Sequence, residues 1–344
     1  MPELREVFEM VTKQTEPDLD AWREQEQRHR RASRNRKLGA FAVAAGIGLV
    51  AVVVVIRAAG DGTGTQPAVQ PTPVAVPEVD YQLDLQTGEM TPLPNSIAGE
   101  NDGGSGYAVS PDGRMLAYSA TGNEGNGQVF VADLDGTGIR QVTREARGAT
   151  SPDWSPDGTK IAYVEGDDMI VQNVFVLDLA TGTATQVTNE SSGLWAPHFS
   201  PDGSSILYGA PNRYGRWVIW IVPATGGRSH LLVGAGRVQP VGDSDLSPDG
   251  SQLAFVAEGS QGQGTDIWIA DADGSGLRPV ARGHGENLWA PKWSPDGTRL
   301  VYYREDSAPD VFVVDVTTGE GQRVADGAVA SWLDDHTLIV DSGL

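Results

Sequence analysis

Residues 153–188 read DWSPDGTKIAYVEGDDMIVQNVFVLDLATGTATQVT. Within this stretch Ser155-Pro156-Asp157-Gly158 is a tight turn: Pro fixes φ at the first corner, Asp tolerates the next, and Gly supplies positive φ. A β-rich run, KIAYV, follows the turn; then come VFVLD (174–178), a TG turn and a short strand ending near QVT. The pattern occurs five times. Ser-Pro-Asp-Gly starts at Ser110, Ser155, Ser200, Ser247 and Ser294, in steps of 45, 45, 47 and 47 residues. After the turns stand MLAYS, KIAYV, SILYG, QLAFV and RLVYY, and further on VFVAD (129–133), VFVLD, IWIVP (219–223), IWIAD (267–271) and VFVVD (311–315). Four strands in a period of about 46 residues is the signature of a propeller blade.

The ends of the repeat region fix the number of blades. DYQLDLQTGEMTPLP (80–94) matches the third and fourth strands of a repeat, with Tyr81 where the others have Phe130, Phe175, Trp220, Trp268 and Phe312. SWLDDHTLIV (331–340) matches the first and second, with Leu338 in the place of Leu300. Neither is a complete blade; together they make one. The expected fold is all-β, a six-bladed β-propeller over 79–344 closed by pairing its N- and C-terminal strands.

The pattern xxWSPDGxxIAY…VFVxDxxTGxxxQVT resembles the TolB-type, WD40-like (PD40) β-propeller repeat. The resemblance covers 79–344, about three-quarters of the chain. It is specific for fold and much less so for function, because propellers of this type occur as the envelope protein TolB, as gating domains of prolyl-oligopeptidase-like peptidases, and as lyase domains. The sequence departs from TolB in lacking a separate N-terminal α/β domain. It departs from the peptidases in having no Gly-x-Ser-x-Gly elbow: Gly242-Asp243-Ser244-Asp245-Leu246 fails at the last position.

Composition restricts the chemistry. No Cys is present, which removes thiol catalysis, Cys-ligated metals and disulfides, and a net charge of −21 excludes nucleic-acid binding across the surface. The charge is unevenly spread. Residues 28–37 (RHRRASRNRK) hold six Lys/Arg and no acid, whereas beyond Arg57 there are 15 basic and 38 acidic residues. Between them Leu38–Ile56 has no charged side chain, and nineteen apolar residues suit a helix crossing a bilayer. The basic flank orients it with the N-terminus in the cytoplasm. The expected organisation is a cytoplasmic helical segment (1–37), a transmembrane helix (38–57), a Pro/Gly-rich linker (58–78) and an extracytoplasmic propeller (79–344) at the cell membrane. In the first segment Leu4, Val7, Phe8 and Val11 fall at helical spacing and form a stripe that needs a partner.

Candidate site residues come from the innermost strand, where six copies converge on one axis. Just before the aromatic or apolar position stand Ala108, Asp153, His198, Asp245, Lys292 and Ala330. Four ionisable residues at one repeat position predict side chains facing the central channel as a solvated ring. Trp195 and Trp289, in matching LWAP segments, are candidate binding anchors at its mouth. None of His29, His198, His230, His284 and His336 pairs with another at zinc-binding spacing. Asp133-Leu134-Asp135-Gly136 and Asp271-Ala272-Asp273-Gly274 begin like calcium loops and lack the closing ligands. No catalytic group, cofactor or metal is therefore expected. The leading expectation is a membrane-anchored module that binds a protein, peptide or envelope component outside the membrane. A transmembrane regulator of anti-sigma-like layout, signalling through a cytoplasmic partner of residues 1–27, is the alternative. A propeller lyase or hydrolase, with His198 or Lys292 as base, is the third reading.

Overall fold

A computed structural model describes residues 80–94 and 107–341, apart from 123–124, 167–170, 191, 235, 237, 260–261, 306–308 and 328. The expected cytoplasmic segment, the span at 38–57, the linker and the stripe Leu4, Val7, Phe8 and Val11 lie outside these residues. Among the described residues no helix is long and apolar enough to cross a membrane. Their 24 strands form six four-stranded antiparallel sheets. Five sheets are consecutive in sequence, and the sixth joins the two ends of the repeat region. In this sixth blade Val329–Trp332 and Thr337–Asp341 continue into Tyr81–Asp84 and Met90–Pro92. The register is Tyr81↔Val340 through Asp84↔Thr337, so the six-bladed closure read from the sequence is what the fold adopts.

Each Ser-Pro-Asp-Gly turn is held by the same bonds. In blade two Ser155 Oγ donates to Asp157 Oδ1 at 2.6 Å and accepts the Lys160 amide at 2.9 Å, while Gly158 N donates to Ser155 O at 2.8 Å. The turn glycines sit at φ values of 68–71°, where an L side chain is strained. The turns also touch round the ring. An added Cβ on Gly158, Gly203, Gly250 or Gly297 would meet the turn proline of the preceding blade at 3.9, 3.5, 3.8 and 3.6 Å. Gly113 meets Leu333 of blade six instead.

The core is a ring of six seams. Six buried apolar clusters lie one between each pair of neighbouring blades, as with Ala254, Ile267, Trp293 and Leu300 between blades four and five. Second strands are covered on both faces, which is why runs such as KIAYV are continuously apolar rather than alternating. Polar links cross the seams as well: Tyr163 and Tyr208 donate their hydroxyls to Glu145 and Glu190 of the preceding blade at 2.7 and 2.8 Å. Burial raises both tyrosines well above the ordinary phenol range, and the neighbouring carboxylates add to the rise.

Candidate functional site

Alternating strand direction puts the first-to-second and third-to-fourth turns on one face of the propeller. The second-to-third loops and the blade-to-blade loops form the other, and from that loop face the innermost strands enter the axis. In blades two to five each inner strand loses register just before its channel position: between Thr150 and Asp153, Trp195 and His198, Pro240 and Ser244, and Trp289 and Lys292. Such bulges re-aim side chains. Two of them hold non-glycine residues at positive φ, Ser151 at 55° and Ala290 at 50°. A non-glycine residue there costs on the order of 1–3 kcal/mol and persists where the surroundings enforce it.

The re-aimed side chains meet in an axial cavity of about 410 Å³. Asp153, His198, Asp245 and Lys292 all line it, with Asp243, Ser151, Tyr303 and Ser331. They are not the solvated ring expected from sequence; they are bonded to one another and to the adjoining blades. Lys292 Nζ lies 2.9 Å from His198 Nε2, a link from blade five to blade three. The ammonium also lies 3.4 Å from the other ring nitrogen, Nδ1. That nitrogen faces Asp153 Oδ1 at 3.6 Å. Asp153 Oδ2 accepts the Phe199 amide of the next blade at 2.8 Å, and Asp245 Oδ2 accepts the Trp293 amide of the next blade at 2.9 Å. His198 is 6% exposed. Burial pushes the Asp245 carboxyl above the usual range, against the lowering pull of Lys292 and His198.

Indoles complete the stitching. Trp154, Trp293 and Trp332 donate Nε1–H to the carbonyls of Ala108, Asp245 and Lys292 in the preceding blades, at 3.1, 3.1 and 3.0 Å. The channel position thus bonds forward to the next blade through its carbonyl and, at Asp153 and Asp245, through its side chain as well, which explains why an aromatic residue stands beside it.

Trp195 and Trp289 share a local motif and separate in their surroundings. Trp195 lines the cavity and stacks on Trp217, with 4.0 Å between ring centroids and 11° between planes. Trp289 lies over Gly242 of blade four, and its Nε1 donates to Glu305 Oε2 at 2.9 Å, which ties it into the seam. Sequence reasoning missed Asp243, Tyr303, Ser151 and Trp217. Asp243 stands two residues before Asp245 on the same strand, a signal that was available; the others depend on bulge geometry and on the packing of blade three.

The cavity holds three carboxylates and one ammonium, a mixture suited to the paired charges and amides of a peptide. Among the described residues no group of His, Asp and Glu is arranged to hold a metal ion. A larger groove of about 1030 Å³ runs between blades two and three on the turn face, but its Asp157 and Asp202 are engaged in their own turns.

Residues 105–263 match the family described as the TolB beta propeller domain. No curated protein matches the chain. Among solved structures, the putative TolB from Agrobacterium tumefaciens is 22% identical with a TM-score of 0.60, the match covering 76% of this chain and 96% of that one. TolB from Acinetobacter baumannii is 17% identical at a TM-score of 0.55, over 76% of this chain and 63% of the other. An oligogalacturonate lyase in complex with manganese is 22% identical at a TM-score of 0.50, over 74% and 73%. At these identities the likeness is one of fold.

Proposed function

We propose that this propeller, whose repeats match the TolB beta propeller domain over residues 105–263, is a non-enzymatic binding module for a protein or peptide segment. The observation that carries this reading is the axial cavity, where ionisable side chains from four different blades converge at a mouth walled by Trp195. The commitment of Asp153 and Asp245 to amides of the neighbouring blades supports binding over catalysis, since both carboxylates are held as acceptors. On the charge pattern of residues 28–57, the module is anchored in the cell membrane with its N-terminus cytoplasmic and the propeller outside. The stripe Leu4, Val7, Phe8 and Val11 favours a second reading, in which binding outside is reported to a cytoplasmic partner of residues 1–27.

The test is photo-crosslinking in intact cells, with the reactive residue in place of Ala196, which lines the cavity. A discrete protein adduct that disappears in a Lys292→Ala, Asp153→Asn double variant is the expected result. Labelling unaffected by that variant, or turnover of a small molecule that depends on His198, would overturn the reading. A second reactive residue in place of Phe8 separates the two versions: an adduct there that changes when the channel variant is introduced requires signalling.

A further inference from the structure

The second-to-third-strand hairpin of blade three, residues 211–217 (PNRYGRW), carries two arginines, a tyrosine, a tryptophan and no acid. Beyond Arg57 acids outnumber bases 38 to 15, so this is a local reversal of charge. The tip is well fixed. Asn212 Oδ1 accepts the amides of Tyr214 and Arg216 at 2.9 and 3.2 Å, and Gly215 N donates to Asn212 O at 2.8 Å. Tyr214 is 62% exposed, the highest value among the described large apolar side chains. The Arg213 guanidinium lies 4.7 Å from its ring centroid, and Nη2 donates to its hydroxyl at 2.6 Å. Arg216 is exposed, and neither arginine pairs with a carboxylate of any described residue.

Behind the tip, Trp217 stacks on Trp195, which in turn lines the axial cavity. The stack passes over Gly209, where a Cβ would come 2.3 Å from Trp195 Cε3. The hairpin is therefore a rigid knob whose base is continuous with the channel mouth. Tyr, Trp and Arg are the side chains that dominate association energies, and a fixed hairpin loses little entropy on binding. One face of Trp217 is taken by Trp195 and one face of Tyr214 by Arg213, so the knob presents guanidinium forks beside the ring surface that remains.

We propose that this knob docks an acidic segment of a partner protein, with Asp or Glu side chains on Arg213 and Arg216 and an apolar residue against Tyr214. Guanidinium forks match carboxylates bidentately, and among the described residues neither arginine is engaged by a carboxylate. The proposal does not rest on the channel reading.

The test uses the full chain in detergent and three fluorescent probes: a short peptide alternating Glu with Leu and Phe, its Lys counterpart, and an oligogalacturonate as an anionic glycan. The expected result is binding of the Glu peptide, weakened by salt and by about tenfold or more in Arg213→Ala, Arg216→Ala and in Tyr214→Ala. Lys292→Ala should leave that binding unchanged, which separates this site from the channel. Arg213→Lys, Arg216→Lys keeps the charge without the fork and should bind at an intermediate level. Absence of binding, equal binding by the alanine variants, preference for the Lys peptide, or preference for the glycan would each overturn the proposal. The Arg213, Tyr214 and Arg216 side chains are exposed, and an unchanged circular dichroism spectrum establishes that each variant, Lys292→Ala included, is folded.

Discussion

On the turn face, Asp157, Asp202 and Asp249 repeat one act in three successive blades: each accepts its own turn serine and the amide two residues on. On the axis, Asp153, His198, Asp245 and Lys292 hold equivalent positions and behave differently. Two accept amides from the next blade, one is a buried imidazole, and one reaches across the channel. Where all blades need the same geometry, the residues agree; where they face a common space, they diverge. The turn face builds the ring, and the axial residues make one blade unlike another.

That division can be broken most severely at the sixth blade, where repeated contacts depend on a single pairing. Deleting 79–94 removes Tyr81, Leu83 and Leu93, all buried, and exposes the edge of Thr337–Asp341. Each such side chain contributes roughly 1.5–3 kcal/mol against a total stability of about 5–15 kcal/mol. The expected outcome is loss of a cooperative thermal transition; a shortened chain melting like the intact one would refute the closure.

On the axis the effects should differ from blade to blade. Asp245→Ala leaves the Trp293 amide without its side-chain acceptor and removes one of the three carboxylates of the cavity that holds Lys292, at a cost of about 2–3 kcal/mol. Asp245→Asn keeps an acceptor and should cost less, measured by denaturant unfolding. Ala108 and Ala330, at the same repeat position, have no such side-chain bond to lose.

On the turn face the effects should be equal. Gly158→Ala and Gly203→Ala place an L residue at φ values of 68° and 70° with room for the methyl group. Each should cost about 1–2 kcal/mol, and the two should agree within about 0.5 kcal/mol. Unequal values would mean that the turns are not equivalent.

Acid gives the smallest and most diagnostic contrast. Hydrogen bonds from the turn serines, then from backbone amides, hold Asp157, Asp202 and Asp249 at about 2, below the ordinary 3.8. Their stabilisation is present above pH 3.8 and is lost as pH falls toward about 2, because there the unfolded chain binds protons that the folded one does not. Asp245 has the opposite sign. Raised by burial, it favours the fold in its protonated form, a contribution lost as pH rises through its folded pKa. Between pH 5 and pH 2.5 the gap in unfolding midpoint between the parent and Asp157→Asn should therefore shrink as pH falls, whereas Asp245→Asn should fall further behind the parent.

The same division explains what could be read from the sequence. Turn chemistry is local, so Ser155-Pro156-Asp157-Gly158 and its copies announce themselves, and Tyr81 and Leu338 reveal the shared blade by matching their counterparts. Alignment of the repeats also put Asp153, His198, Asp245 and Lys292 at one position, and they do line one cavity. Their bonding was not legible: Pro152, Pro197 and Pro291 mark three of the bulges, but no residue type tells where a bulge aims its neighbours, and Ser151 and Ala290 are ordinary residues forced to positive φ. Trp195 and Trp289 show the limit most clearly. Identical LWAP segments lead one indole over Gly209 to Trp217 and the other over Gly242 to Glu305. The partner, contributed by another strand of the same blade, decides.

The pairing of Tyr81 with Val340 also imposes an order in time. A ribosome making about 5–20 residues per second needs roughly 10–50 s to travel from one strand to the other. Through that interval Tyr81–Asp84 has no neighbour on the side that Thr337–Asp341 will occupy, while the five consecutive blades can assemble behind it. An edge left open this long is a template for pairing with another chain, so the protein's greatest risk of aggregation falls during its own synthesis and ends when the last strand arrives.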